Sequence, residues 1–208
     1  MNPSISPSAP FSEVSTRAWT ALGLWSAGAL ALGASGLVAA LPRPLIPALI
    51  WSPVIAFAAL YRRGGGVRAF VDGVDLRLPV LFHAVRVVFG ALFLVDAARG
   101  ELPRLFAQIA GPGDLVAGTL ALPAAWLAGR RSRGARAALL AWNVFGLVDI
   151  LAVFFTAQRL LFIDRDPLML QAFQRMPYPT LPLLVVPLVL ITHGAVFLRL
   201  RAWSRRAG

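Results

Sequence analysis

Residues 79–98 read PVLFHAVRVVFGALFLVDAA. An α-helix rises ~1.5 Å per residue, so a stretch of this length reaches ~30 Å, the thickness of a bilayer's hydrocarbon core. Almost every residue is apolar, and there is neither a period of two nor a polar stripe wide enough to face water. The stretch therefore reads as a membrane-spanning helix. Lipid offers no partner to backbone N–H and C=O groups, so a helix is the required form. A transmembrane β-barrel would show ~10-residue segments of alternating hydrophobicity instead.

Runs of the same kind recur at 18–41, 44–61, 113–129, 137–157 and 179–199. The expected architecture is an all-α, polytopic transmembrane helical bundle of six spans. Runs 44–61 and 113–129 are short and carry prolines (Pro47 and Pro53; Pro123), so the rival arrangement has five spans with one of these two re-entrant. Composition agrees: 58% of residues are apolar and 14% charged, with a mean hydropathy of +0.73. A soluble domain of this size would have to leave much of that apolar surface in water. The Ser/Pro-rich residues 1–16 read as a disordered tail, residues 17–201 as one helical domain, and residues 202–208 as a basic cytoplasmic tail. The run 18–41 exceeds the ~7–15 residues of a signal-peptide core and reads as an uncleaved first span.

The net charge is +11, and all twenty basic residues are arginines. They sit in short clusters between the apolar runs, a pattern of membrane topology and not of nucleic-acid binding. With both termini cytoplasmic, the inner segments hold 13 arginines and the outer ones 6, with Arg86 inside a span. Trp19, Trp126, Trp142 and Trp203 fall near the same inner boundary, where amphipathic rings settle. A bacterial-type cytoplasmic membrane is the expected location and the lipid bilayer the principal partner. The absence of cysteine excludes disulfides, thiol catalysis and Cys-based metal sites.

The first run carries a ladder of small residues, Ala27, Ala31, Ser35 and Ala39, that would allow close helix packing. Packing inside the same bundle is the simpler expectation, and a homo-oligomer or larger membrane complex is the alternative. Two outer loops are expected, 100–112 (GELPRLFAQIAGP) and 158–178 (QRLLFIDRDPLMLQAFQRMPY). In the second, Asp166 and Pro167 suit the N-cap and N1 positions of a short surface helix. Gly64, Gly65 and Gly66 read as a flexible turn, lacking the strand and the Lys-Ser/Thr of a phosphate loop.

Polar residues inside spans are expensive and carry the functional expectation. They are His83 and Arg86 in the third run, Asn143 and Asp149 in the fifth, and His193 in the sixth. Asp96 and Asp114 lie near the expected outer boundary and read as solvated. Counting residues from the ends brings His83 and His193, the only two histidines, to a similar depth near the inner boundary. His83, Arg86 and Gly90 share one helical face; Asn143, Gly146 and Asp149 form a second stripe. Three readings follow. Arg86 bridges to Asp149 in a purely structural role or as part of an assembly subunit. His83 and His193 clamp a b-type haem as axial ligands. Asp149 and the histidines carry protons in a small proton-coupled transporter or permease. No HExxH, GxSxG or paired acidic motif marks an enzyme. Asp164 and Asp166 form a DxD-like pair that could hold a divalent metal, although an Asp before a proline more often caps a helix.

Overall fold

The computed structural model describes residues 11–130 and 132–205, and all regular structure among them is helical. The helices are α1 (Phe11–Ala34), α2 (Leu37–Ala40), α3 (Leu45–Arg63), α4 (Gly66–Gly73), α5 (Arg77–Phe82), α6 (Val85–Ala98), α7 (Arg104–Ala128), α8 (Arg133–Phe162), α9 (Pro167–Ala172) and α10 (Val186–Arg205). A π-helical segment, Leu181–Val185, leads into α10. Five stretches are long and apolar enough to cross a bilayer: Leu45–Arg63, Arg77–Ala98, Arg104–Ala128, Arg133–Phe162 and Leu181–Trp203.

The first expected span is not among these five. α1 begins at Phe11, six residues inside the expected tail, so its first turns carry Ser12, Glu13, Ser15, Thr16 and Arg17. It stops at Ala34, because Gly36 takes φ 74°, a left-handed conformation that ends a helix. The apolar part held in one helix, residues 18–34, falls short of the ~20 residues a span needs. Residues 1–10 of the expected tail, and 206–208 of the basic one, lie outside the described residues.

The fourth expected span is longer than its sequence suggests. α7 starts at Arg104, directly after Pro103, so most of the expected outer loop 100–112 is helix. The expected start of the span at residue 113 follows Gly111-Pro112 directly, yet the helix runs through all three residues. Pro112 is exposed, while Gly111 packs against Leu94 of α6. Neither α3 nor α7 is short enough to require a re-entrant segment. The third expected span is two helices, α5 and α6, joined at His83–Ala84.

α7 lies between α6 and α8, α10 packs on α8 and α3, and α1 rests on α4 and the π-helical segment. The elements close at two ends. At the arginine-rich end, Arg199 donates to the carbonyls of Val71 and Val74 (2.7 Å each) and Arg136 to that of Leu200 (3.2 Å). At the other end, Arg175 pairs with Glu101 (2.6 Å) and Arg43 donates to the carbonyl of Leu161 (3.3 Å). α1 runs between the two. Phe11 meets Gly73 at the first end, and Gly33 meets Met176, Pro179 and Thr180 at the second.

Polarity is distributed inside out. Val88, Val148, Phe155, Ile55 and Leu24 are all more than 60% exposed, whereas Arg86, Asp114, Asn143, His83 and His193 are buried. The small-residue ladder also faces outward: Ala27, Ala31, Ser35 and Ala39 are exposed, so it does not pack within this bundle. α9 forms where expected, with Asp166 accepting from the N–H groups of Leu168 (2.8 Å) and Met169 (3.3 Å). Its apolar face turns inward, burying Met169, Ala172 and Phe173 against the core.

Candidate functional site

Close helix approach builds the site. A Cβ on Gly90 of α6 would lie 2.8 Å from the carbonyl oxygen of Gly111 and 3.0 Å from Cβ of Asp114, both on α7. A Cβ on Gly118 would lie 2.8 Å from the backbone nitrogen of Val87. Glycine at these contacts lets α6 and α7 meet backbone to backbone. Arg86 consequently has no room to leave the bundle and turns inward, 2% exposed.

Each arm of the Arg86 guanidinium finds an acceptor. Nε donates to Asp114 Oδ1 (2.5 Å), Nη1 to the carbonyl of Gly146 (3.1 Å) and Nη2 to Asp149 Oδ2. α6, α7 and α8 are thus tied at one point by one cation and two carboxylates. Asp114, expected at a solvated boundary, is 4% exposed. The difference lies in where α7 begins. Counted from Arg104, Asp114 is ten residues into its helix, ~15 Å from the end. Arg86 and Asp149 do meet across α6 and α8.

His83 sits where the third span tightens. The bonds His83 N–H to Val80, Ala84 to Leu81, Arg86 to His83 and Val87 to Ala84 all reach back three residues, a 3₁₀ pattern of the kind found at functional hinges. His83 Nε2 lies 3.0 Å from the Thr192 hydroxyl, and His193 Nδ1 lies 2.8 Å from Asn143 Oδ1. Asn143 Nδ2 donates to the carbonyl of His193 (3.2 Å). The two imidazole centroids are 4.2 Å apart, and Trp142 packs edge-on to His83. Trp142 is no boundary anchor; it is buried, with Nε1 donating to the carbonyl of Ala117 (3.0 Å).

All five expected residues, His83, Arg86, Asn143, Asp149 and His193, therefore belong to one interior cluster, joined by Asp114, Thr192 and Trp142. Two other expectations do not fit the geometry. A haem iron ~2 Å from a nitrogen of each ring would hold the centroids ~6 Å apart on opposite faces of a macrocycle. At 4.2 Å the rings of His83 and His193 leave no space for one. Asp164 and Asp166 form no metal pair: Asp166 caps α9, and Asp164 pairs with Arg159 (3.2 Å). No group of three or more His, Asp or Glu suited to a metal occurs among the described residues.

On the side away from the arginine-rich end, a cavity of about 50 Å³ opens above Arg86 and Asp114. Phe89, Phe154 and Val189 wall it, and Met169 and Phe173, at α9, cover it. Beyond it, the Tyr178 hydroxyl donates to Asp96 (2.6 Å), which also lies 3.8 Å from Arg175. Asp96 is thus buried and partnered, not solvated as expected. Burial, with the Asp96 carboxylate beside it, pushes the Tyr178 hydroxyl above the ordinary tyrosine range. The hydrogen bond to Glu101 raises Arg175.

The fold and the cluster define an all-helical protein with apolar outer faces and a buried ionic core. The chain belongs to the family described as a domain of unknown function, DUF8737, whose model matches residues 68–201. That region holds the whole cluster and leaves out α1 and α3. No curated protein and no solved structure matches the chain.

Proposed function

We propose that this chain is a six-pass integral membrane protein of a cytoplasmic membrane whose buried cluster holds one exchangeable proton, and that it acts as a small proton-coupled transporter. The observation that carries the reading is the charge count: one guanidinium, Arg86, faces two carboxylates, Asp114 and Asp149. An unbalanced charge inside a bilayer is expensive, so the cluster is neutral only with one further proton or cation. A proton fits without a cavity of its own.

Three features support the membrane setting. The exposed faces are apolar, the ionic groups point inward, and the arginine-rich segments share one end with the start of α1. Positive residues collect on the cytoplasmic side, which supports the reading that this end, with both termini, faces inside. α1 reaches from one end to the other, so it serves as the sixth pass even though its own apolar run is short. The 3₁₀ turn at His83 and the π-helical turn before α10 supply places where a bundle can flex.

The test is solute or proton flux in proteoliposomes under an imposed pH gradient. Asp149→Asn removes the surplus negative charge and is expected to abolish flux. A second reading, a static bridge between helices, is favoured by the full set of acceptors around Arg86. It predicts no flux in the unaltered protein and only lower stability in the variants.

A further inference from the structure

The two histidines carry more than their positions suggest, because their hydrogen bonds determine which nitrogen bears the proton. The Thr192 hydroxyl lies 2.7 Å from the carbonyl of Leu188 and 3.0 Å from that of Val189. Those oxygens only accept, so the single hydroxyl proton is directed to them. Towards His83, 3.0 Å away, Thr192 is then an acceptor, and Nε2 of His83 carries the hydrogen. For His193 the reference is Asn143. Its amide nitrogen donates to the carbonyl of His193, which turns Oδ1 towards the ring. An amide oxygen only accepts, so Nδ1 of His193 carries the hydrogen.

The two rings are therefore held in opposite neutral tautomers. The remaining nitrogens, Nδ1 of His83 and Nε2 of His193, are bare lone pairs. Both are buried and neither makes a hydrogen bond of ordinary geometry, although the Gly146 backbone lies against the His193 ring. A buried acceptor left open in this way calls for an explanation. The chamber above Arg86 is lined by neither histidine.

The charged group beside the pair is Arg86 from α6, which carries Asp114 of α7 and Asp149 of α8 on its other arms; α10 contributes Thr192 and His193 itself. Gly146 lies between the His193 ring and the guanidinium. A Cβ there would lie 2.7 Å from Cε1 of His193 and 3.4 Å from Nη1 of Arg86. One proton on the pair would set two positive groups against two carboxylates and balance the cluster. A second is opposed by the first, since the rings are only 4.2 Å apart.

We propose that His83 and His193 form a tautomer-locked pair of bases that accepts one proton between them, an inner seat for the cluster's exchangeable proton. The step moves a proton from hydronium onto one bare ring nitrogen, breaking an O–H bond and forming an N–H bond, while the hydrogens already on His83 Nε2 and His193 Nδ1 stay in place and keep donating to Thr192 and Asn143. The inference rests on reading the cluster as a proton site.

The test is solid-state ¹⁵N NMR of histidine-labelled protein in liposomes, where only two imidazoles contribute. At about pH 8 one ring should be protonated on Nε2 and the other on Nδ1. As the pH is lowered while the fold persists, one imidazole per chain, not two, should become doubly protonated. Asp149→Asn should suppress that uptake, and Thr192→Val should release the tautomer of His83 alone. Matching tautomers, two protonated rings in the folded protein, or acid unfolding with both rings still neutral would overturn the proposal. If flux is absent but the opposed tautomers and single uptake appear, transport fails and the proton seat stands. If flux is present but neither histidine takes up a proton, transport stands and the proton seat fails.

Discussion

Removing Arg86 is expected to damage this protein more than removing either of its carboxylate partners, and removing all three charges should repair much of the damage. Arg86→Leu deletes three hydrogen bonds from a charged group that is 2% exposed. Bonds of that kind are worth ~1.5–3 kcal/mol each, but the abandoned carboxyls can take up protons, which limits the loss. Breaking a buried pair typically costs ~3–5 kcal/mol. Asp114→Asn leaves Arg86 joined to Asp149 and Gly146 and keeps a neutral amide oxygen as acceptor for Nε, so ~1–2 kcal/mol is expected. For a chain of this length ~1 kcal/mol moves Tm by ~2–4 °C. Arg86→Leu should then lower Tm by ~6–20 °C in detergent micelles. The triple variant Arg86→Leu, Asp114→Asn, Asp149→Asn should be more stable than Arg86→Leu alone, because no buried charge is left unpaired. A triple variant whose loss equals the sum of the three single losses would refute the coupling, as would an Arg86→Leu shift below ~3 °C.

Further outcomes follow from particular contacts. Gly90→Ala places a methyl 2.8 Å from the backbone of Gly111, which cannot yield, so α6 and α7 must separate and ~1–3 kcal/mol should be lost in thermal unfolding. Gly28→Ala meets nothing within 4 Å and should be neutral or stabilising by ~0.5–1 kcal/mol in the same assay. Tyr178, raised by burial and Asp96, should titrate later than a free phenol in an ultraviolet pH titration. Its raised value means its stabilisation is intact below ~pH 10 and lost as pH climbs through the folded-state value; Tyr178→Phe should remove that alkaline loss. Asp166→Ala should cost ~0.5–2 kcal/mol through the lost cap of α9 and leave flux unchanged, whereas a metal role would make activity fall and respond to chelators.

Long apolar runs have few stable forms other than helices, which is why the spans are legible in the sequence, and the Asp166–Pro167 pair announces α9 through local capping chemistry. Depth counting brings His83 and His193 to one level, and their rings lie 4.2 Å apart. The differences between expectation and structure share a cause: glycine and proline look the same in sequence whether they break a helix or let another helix approach. At Gly36 the backbone is left-handed and α1 ends. At Gly111 and Gly113 the helix continues, and the missing side chains make room for Leu94 and Asp149. Taking the second case for the first moves Asp114 to a boundary and hides the other half of the ionic cluster. Thr192 gives no signal in the sequence because a threonine in an apolar helix usually satisfies itself, as its bond to Leu188 shows. The outward direction of the ladder on α1 needs tertiary structure, since small residues allow packing on either side of a helix.

A proton site of this kind requires the cluster to lie within the bilayer, and Val148 reports on that directly. It is 62% exposed on the outer face of α8, one residue from Asp149. The chain has no cysteine, so Val148→Cys carries a spin label at a single position. Power-saturation electron paramagnetic resonance in liposomes compares collisions with oxygen, which concentrates in lipid, and with a water-soluble nickel chelate. Relaxation dominated by oxygen is expected, as at a lipid-facing site deep in the membrane. Relaxation dominated by the nickel chelate would put Val148, and Asp149 with it, in water and contradict a proton site buried in the bilayer.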